Sequence, residues 1–175
     1  MTAAFVSGTF DVCTVGHLDL IQSALKLADT VFVGVATNPS KQCLISLADR
    51  TRLLIESIYD VFSAYDANRV KVVSIDAQSI TVREAKRLGA AFVVRGIRSY
   101  ADYEYERELA VLNESLEPEI STVVVFSDPA HSHIRSSTVK ALLALPDWDR
   151  DVVKKMVPPV VLQHLDGLRA SNSPL

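Results

Sequence analysis

The strongest constraint on the fold is an alternation. Five short runs of small and β-branched residues, at 3–6, 30–36, 69–75, 91–94 and 120–126, are separated by stretches whose apolar residues recur at helical spacing. Strands that each feed a helix before the next strand begins cannot close as hairpins. They return by crossover connections and lie parallel. The pattern predicts an α/β fold: a single-domain, doubly wound, parallel five-stranded sheet.

The helical stretches carry their own punctuation. Leu18, Ile21, Leu25 and Ala28 fall on one face of a first helix, and Leu47, Leu54, Ile58 and Val61 on one face of a second. Ser46 reads as the N-cap of the second, with Asp49 near N3. A helix over 80–88 ends at Gly89 as C-cap. A longer helix over 103–116 should turn Tyr105, Leu109, Leu112 and Leu116 inward. A helix beginning at Val139 breaks at Pro146, Asp147 can cap the next, and Pro158-Pro159 precedes a last helix over 160–168. One domain over 1–168 and a disordered tail over 169–175 are the expected organisation.

Composition narrows the partners. The formal charge of −3 argues against a surface that coats nucleic acid. No apolar run approaches the roughly 20 residues that span a bilayer, so no membrane contact is expected. No basic segment precedes an apolar one at the N-terminus, and Cys13 and Cys43 lack metal-binding spacing. A reducing, cytoplasmic setting is the expectation.

In a parallel sheet, the loops leaving the carboxyl ends of the strands gather at one edge, where open α/β folds bind ligands. Here those loops are polar: 8–17, 37–41, 95–98 and 127–137. The first joins a strand to a helix through Ser7-Gly8-Thr9, with Gly16 expected to allow close backbone approach and His17 at the helix start. Such a helix N-terminus favours anions. It is neither the G-x-G-x-x-G fingerprint nor a Walker loop. Together the loops bring up Thr9, His17, Lys41, Arg95, Arg98, Arg135, Ser136 and Ser137. That cationic, donor-rich set on a net acidic chain suits a polyphosphate. It holds no nucleophile with an adjacent base, which points to transfer of a phosphorus centre by positioning and charge stabilisation. Blander readings stand beside this one. Lys41 can be merely solvated, Arg95 and Arg98 can pair with Asp102 or Glu104, and Ser136-Ser137 can cap a helix. His131 and His133 read as loop polar residues rather than metal ligands. Glu106 should face away from Leu109, where a ribose or water contact is open to it.

Thr14-Val15-Gly16-His17 resembles the T/H-x-G-H signature of class I nucleotidyltransferases. Arg95-Gly96-Ile97-Arg98 with Asp102-Tyr103-Glu104-Tyr105-Glu106, Ile134-Arg135-Ser136-Ser137-Thr138-Val139-Lys140, and Asn38-Pro39-Ser40-Lys41 are similar to three stretches of the bacterial phosphopantetheine adenylyltransferase family. The likeness runs in order from about residue 3 to 165. It implies a Rossmann-like nucleotidyltransferase fold and a reaction of ATP with 4′-phosphopantetheine, with Mg²⁺, giving dephospho-coenzyme A and pyrophosphate in coenzyme A synthesis. It also implies a homohexamer built as a dimer of trimers. Carried over by residue, His17, Lys41 and Arg98 are catalytic. Thr9, Phe10, His17, Gly96, Ile97, Arg98, Glu106 and the run His131, Ser132, His133, Ile134, Arg135, Ser136 and Ser137 bind ATP. Thr9, Lys41, Thr81 and Arg95 bind phosphopantetheine. Mg²⁺ is expected on the ATP phosphates, with no protein ligand.

Three residues depart from the family pattern. Ser7 and Val12 stand where proline is usual, and Arg135 stands where serine is usual. Two rival readings follow: a nucleotidyltransferase with another acceptor, such as nicotinamide mononucleotide, or a non-catalytic nucleotide- or coenzyme-A-binding module inactivated by Arg135.

Overall fold

The chain begins at the centre of its sheet. The structure, a computed structural model, describes residues 1–37, 43–76 and 79–170. Strands β1 (Ala3–Gly8), β2 (Thr30–Ala36), β3 (Val70–Ile75), β4 (Phe92–Ile97) and β5 (Ser121–Phe126) pair in the order β3-β2-β1-β4-β5, all parallel. The helices are α1 (Val15–Leu25), α2 (Leu47–Val61), α3 (Ala64–Arg69), α4 (Thr81–Arg87), α5 (Tyr100–Leu116), α6 (Ser136–Leu143), α7 (Arg150–Lys154) and α8 (Pro159–Ala170).

Helices cover both sheet faces, so alternate residues of β1 enter different clusters. Phe5 packs with Ile75, Val82, Val93 and Ile120. Ala4 and Val6 join a larger cluster with Val33, Leu54, Ile58, Val161 and Leu165. Each fully buried aliphatic side chain there contributes about 1.5–3 kcal/mol of transfer free energy. Gly34 in β2 is dictated by this packing. A Cβ there would lie 2.2 Å from the Ile75 side chain and 2.8 Å from the Phe5 ring. Gly89 follows α4 with φ +74°, a left-handed turn that glycine adopts without the Cβ penalty.

Ser46 caps α2 as expected, its hydroxyl accepting from the Asp49 N–H at 3.1 Å. Elsewhere the chain departs from the pattern reading. Arg95, Gly96 and Ile97 are the last residues of β4, not a loop. Their register against Val124, Val125 and Phe126 of β5 continues the ladder. α3 has too few apolar residues to announce itself; Ser63 caps it, and the Arg69 guanidinium donates to the Leu25 and Ala28 carbonyls behind α1. Asp149, not Asp147, caps α7. In α5 the expected inward face is largely outward: Tyr105 and Leu112 are more than half exposed, and Glu106 is the buried residue. In α2, Val61 is likewise exposed at the helix end. α8 runs to Ala170, past the expected end of the domain at Leu168, and 171–175 lie outside the described residues. Among the described residues no helix is long and apolar enough to cross a membrane.

Candidate active site

Strand order reverses at β1: β2 lies on one side and β4 on the other. The carboxyl ends of these neighbours part, and the crevice between them is where open α/β sheets bind ligands. A cavity of about 360 Å³ opens there. Its wall includes Thr9, His17, Arg95, Gly96, Arg98 and Glu106, and, from the far side, His131, Ile134, Arg135, Ser136 and Ser137. Most of the residues expected to bind ATP therefore share one cavity.

His17 is the third residue of α1. The Thr14 main-chain N–H donates to its Nδ1 at 3.0 Å, and the Thr14 hydroxyl lies 3.1 Å from the same atom. Nδ1 is thus an acceptor, which leaves the ring proton on Nε2. Burial pushes the imidazole pKa down to about 4, and the nearby Arg98 charge adds to this. The ring is neutral at pH 7. Phe10 does not line the cavity. It is buried, with φ +49°, and its ring stacks at a tilt against the His17 ring, centroids 4.9 Å apart.

Each of three cations on the wall has a carboxylate partner. Arg95 makes a two-pronged pair with Glu106, at 2.7 and 2.8 Å, and donates to the Ser7 carbonyl and hydroxyl at 3.3 Å. Ser7 therefore helps to orient Arg95. Glu106 is turned to the guanidinium as the buried residue of α5, so it acts on Arg95. Arg98 pairs with Asp102 at 3.2 Å and reaches the Ile134 carbonyl at 3.3 Å. Burial alone would raise the Asp102 carboxyl, but the Arg98 amide and guanidinium hold it below the usual carboxylate range. Lys140 pairs with Asp11 at 2.9 Å. Arg135 differs: it is exposed, and among the described residues its guanidinium forms no hydrogen bond or ion pair, although its charge helps to lower the Asp102 carboxyl.

Ser136 and Ser137 are the first two residues of α6, with Arg135 at the N-cap position. The Ser136 hydroxyl donates to the Val12 carbonyl at 2.8 Å, fixing the α6 start against the β1 loop. Gly16 is not needed for close backbone contact, because a Cβ there would meet nothing within 3.8 Å. It lines the cavity, so its missing side chain leaves space for a ligand. His131 Nδ1 lies 2.5 Å from Asp19 of α1. Ile97 is buried, and Thr81, Ser132 and His133 lie outside the cavity wall. Lys41, with Asn38, Pro39 and Ser40, lies outside the described residues.

Sequence reasoning assigned no site role to Asp11, Lys140, Asp19 or Arg50, although Asp11 and Lys140 stand in the motifs it singled out. Asp11 is 3% exposed and accepts from the Leu44 and Ile45 amides at 3.1 and 3.0 Å as well as from Lys140. The signal for Arg50 was available: it falls on the Leu47–Leu54–Ile58 stripe, where a charge has no business unless it has buried partners.

Residues 5–142 match the Cytidylyltransferase-like family. The chain is also similar to a solved Plasmodium falciparum nicotinic acid mononucleotide adenylyltransferase, with a TM-score of 0.69 at 14% identity over 96% of each chain, a likeness of fold. More specifically, it is 37% identical over 161 residues to the phosphopantetheine adenylyltransferase of Shouchella clausii, covering 91% of this chain and 94% of that protein. It is 34% identical over 165 residues to the one from Chromobacterium violaceum, covering 94% and 96%. The chain belongs to the phosphopantetheine adenylyltransferase family.

Proposed function

We propose that this chain, an adenylyltransferase of coenzyme A biosynthesis by its family, joins ATP to 4′-phosphopantetheine by direct in-line displacement. An oxygen of the acceptor phosphate attacks the α-phosphorus of ATP. The bond from that phosphorus to the β-bridging oxygen breaks, and pyrophosphate leaves. The acceptor is already an anion and needs no general base, and the cavity offers donors rather than a nucleophile. The observation that carries this reading is the convergence of His17, Arg95, Arg98, Arg135 and the α6 N-terminus on one cavity.

The chain's own groups divide the work. The Nε2–H of neutral His17 donates to the α-phosphate oxygens as charge develops on them, which makes it the transition-state stabiliser. Arg95, held by Glu106 and Ser7, receives the acceptor phosphate, with Thr9 beside it. Arg98, Arg135 and the first amides of α6 hold the departing phosphates. Lys41 is assigned to the acceptor and α-phosphates by resemblance. No side chain is assigned to hold Mg²⁺; bound to the triphosphate, it would supply charge neutralisation for the leaving group. The engagement of Asp11 and Glu106, the carboxylates on the cavity wall, by Lys140 and Arg95 supports that placement.

Assembly and location belong to the same reading. The outward face of α5 and the end of β5 expose Tyr100, Tyr105, Val111, Leu112 and Phe126. A homohexamer, a dimer of trimers, would bury such a face, and sedimentation velocity measures it. The cytoplasm, with its ATP, is the setting proposed. The decisive assay is pyrophosphate release with ATP, Mg²⁺ and 4′-phosphopantetheine, each omitted in turn. Release that needs both substrates supports the reading. ATP binding with no release refutes it in favour of a binding module, and faster release with nicotinamide mononucleotide refutes the acceptor.

A further inference from the structure

Arg50 of α2 is 1% exposed, among the largest fully buried side chains in the molecule. No carboxylate pairs with it among the described residues. Its guanidinium instead donates to three main-chain carbonyls: Thr9 at the start of the loop that follows β1, Ala36 at the end of β2 at 2.9 Å, and Ile45 just before α2 at 3.1 Å. Burying a charge costs several kcal/mol unless it is well bonded, and an apolar side chain of the same volume would serve packing alone at least as well. What the guanidinium adds is a fixed geometry for three segments that meet beneath the cavity.

One of those segments bears directly on the chemistry. The carbonyl that Arg50 holds belongs to the peptide entering Phe10, whose φ of +49° is left-handed. A non-glycine residue in that region is strained and is held there by its surroundings. Thr9 lines the cavity, and Phe10 packs on His17. The neighbouring Asp11 completes the same junction, taking the Ile45 amide while Arg50 takes the Ile45 carbonyl.

Building on the functional reading above, we propose that Arg50 is a positioning residue for adenylyl transfer. By locking the Thr9–Phe10 peptide, it sets the Thr9 side chain at the phosphates.

The test is a double-mutant cycle on pyrophosphate release. It compares wild type, Thr9→Ala, Arg50→Lys, Arg50→Met and each Arg50 variant combined with Thr9→Ala, all well below their measured Tm. A misplacement of about 1 Å can slow turnover about 100-fold, so Arg50→Lys and Arg50→Met should lower kcat by about 10- to 100-fold while remaining folded. In the Thr9→Ala background the same substitutions should cost less than about threefold, since residues acting as a unit are not additive. A purely structural role would leave the two losses multiplicative. That result, an unchanged kcat, or failure of both Arg50 variants to fold overturns the proposal. Silence of the wild-type enzyme with both substrates is a separate outcome; it removes the functional reading itself, and this inference with it, before any variant is compared.

Discussion

The protonation state of His17 is the most exposed point of the mechanism. Burial and Arg98 place its pKa at about 4 against an ordinary 6.5. At pH 7 that leaves about one ring in a thousand protonated, where an unperturbed histidine would have about one in four. The difference corresponds to about 3 kcal/mol, and since His17 is only half-buried, about 2–3 kcal/mol is the range to expect. The sign for stability follows. Between pH 6.5 and about 4 the unfolded chain binds a proton that the folded chain does not. This contribution is full above pH 6.5 and is lost as pH falls towards 4. Protonating Nδ1 would also turn the acceptor of the Thr14 N–H into a donor and break the bond at 3.0 Å. The assay is histidine ring chemical shift against pH on the ligand-free protein, with His17 assigned by comparison with His17→Gln. A midpoint well below 5, with no inflection from this ring between pH 6 and 7, is expected. A midpoint near 6.5 would refute both the neutral tautomer and the donor role built on it. In turnover, His17→Ala should lower kcat by about 100- to 1,000-fold, as for loss of one preorganised donor to a developing oxyanion, with little change in ATP affinity. A loss confined to KM would count against transition-state action.

Other substitutions separate the remaining roles. Arg95→Ala should raise the KM for phosphopantetheine by about 10-fold or more and leave ATP binding nearly unchanged; a selective loss of ATP affinity in calorimetry would reverse the assignment. Arg135→Ser removes the cation whose guanidinium makes no hydrogen bond or ion pair among the described residues and should weaken ATP about 3- to 10-fold with kcat retained; a gain in turnover would instead favour the inactivated-module reading. Asp11→Ala leaves two amides and Lys140 without their acceptor, so unfolding should become easier by about 3 kcal/mol. For a chain of this length, that lowers Tm by about 6–12 °C in calorimetry, and an unchanged Tm would show that water replaces the carboxylate.

The sheet was legible because its signals are local. A β-branched run followed by a turn and a helical stripe is read from adjacent residues, and β2 begins and ends where the TVFVGVA run does. The extension of β4 through Arg95 and Gly96 was hidden because a cation and a glycine are poor strand residues; the neighbouring ladder of β5 overrides that preference. The outward turn of α5 was hidden for a similar reason. Tyr105, Leu109, Leu112 and Leu116 make an ordinary inward stripe, yet the helix is rotated so that Glu106 meets Arg95, and no spacing rule weighs an ion pair across 11 positions. The cavity's cations were found because loops after strands converge. Asp102, four residues past Arg98, was among the partners the sequence offered; the pairing of Arg95 with Glu106, the Lys140–Asp11 pair and the bonds of Arg50 were not, since they join residues on different elements.

Those partners change what the cavity's charge means. Arg95, Arg98 and Lys140 are neutralised by Glu106, Asp102 and Asp11, so the long-range attraction for a polyphosphate is smaller than the count of basic residues implies. What pairing supplies is orientation. Each guanidinium is already fixed by two or more bonds, so binding does not have to order it, a saving of about 0.5–1.5 kcal/mol per side chain. On the proposed reading, the affinity that remains comes from short-range donors aligned with a phosphate: the Nε2–H of His17, the α6 amides, and Arg135, whose guanidinium makes no hydrogen bond or ion pair among the described residues. Such a site discriminates by geometry rather than by charge. A ligand with the right number of negative charges but the wrong phosphate spacing gains little from paired cations, which is the selectivity an enzyme needs when its two substrates and both products all carry phosphate.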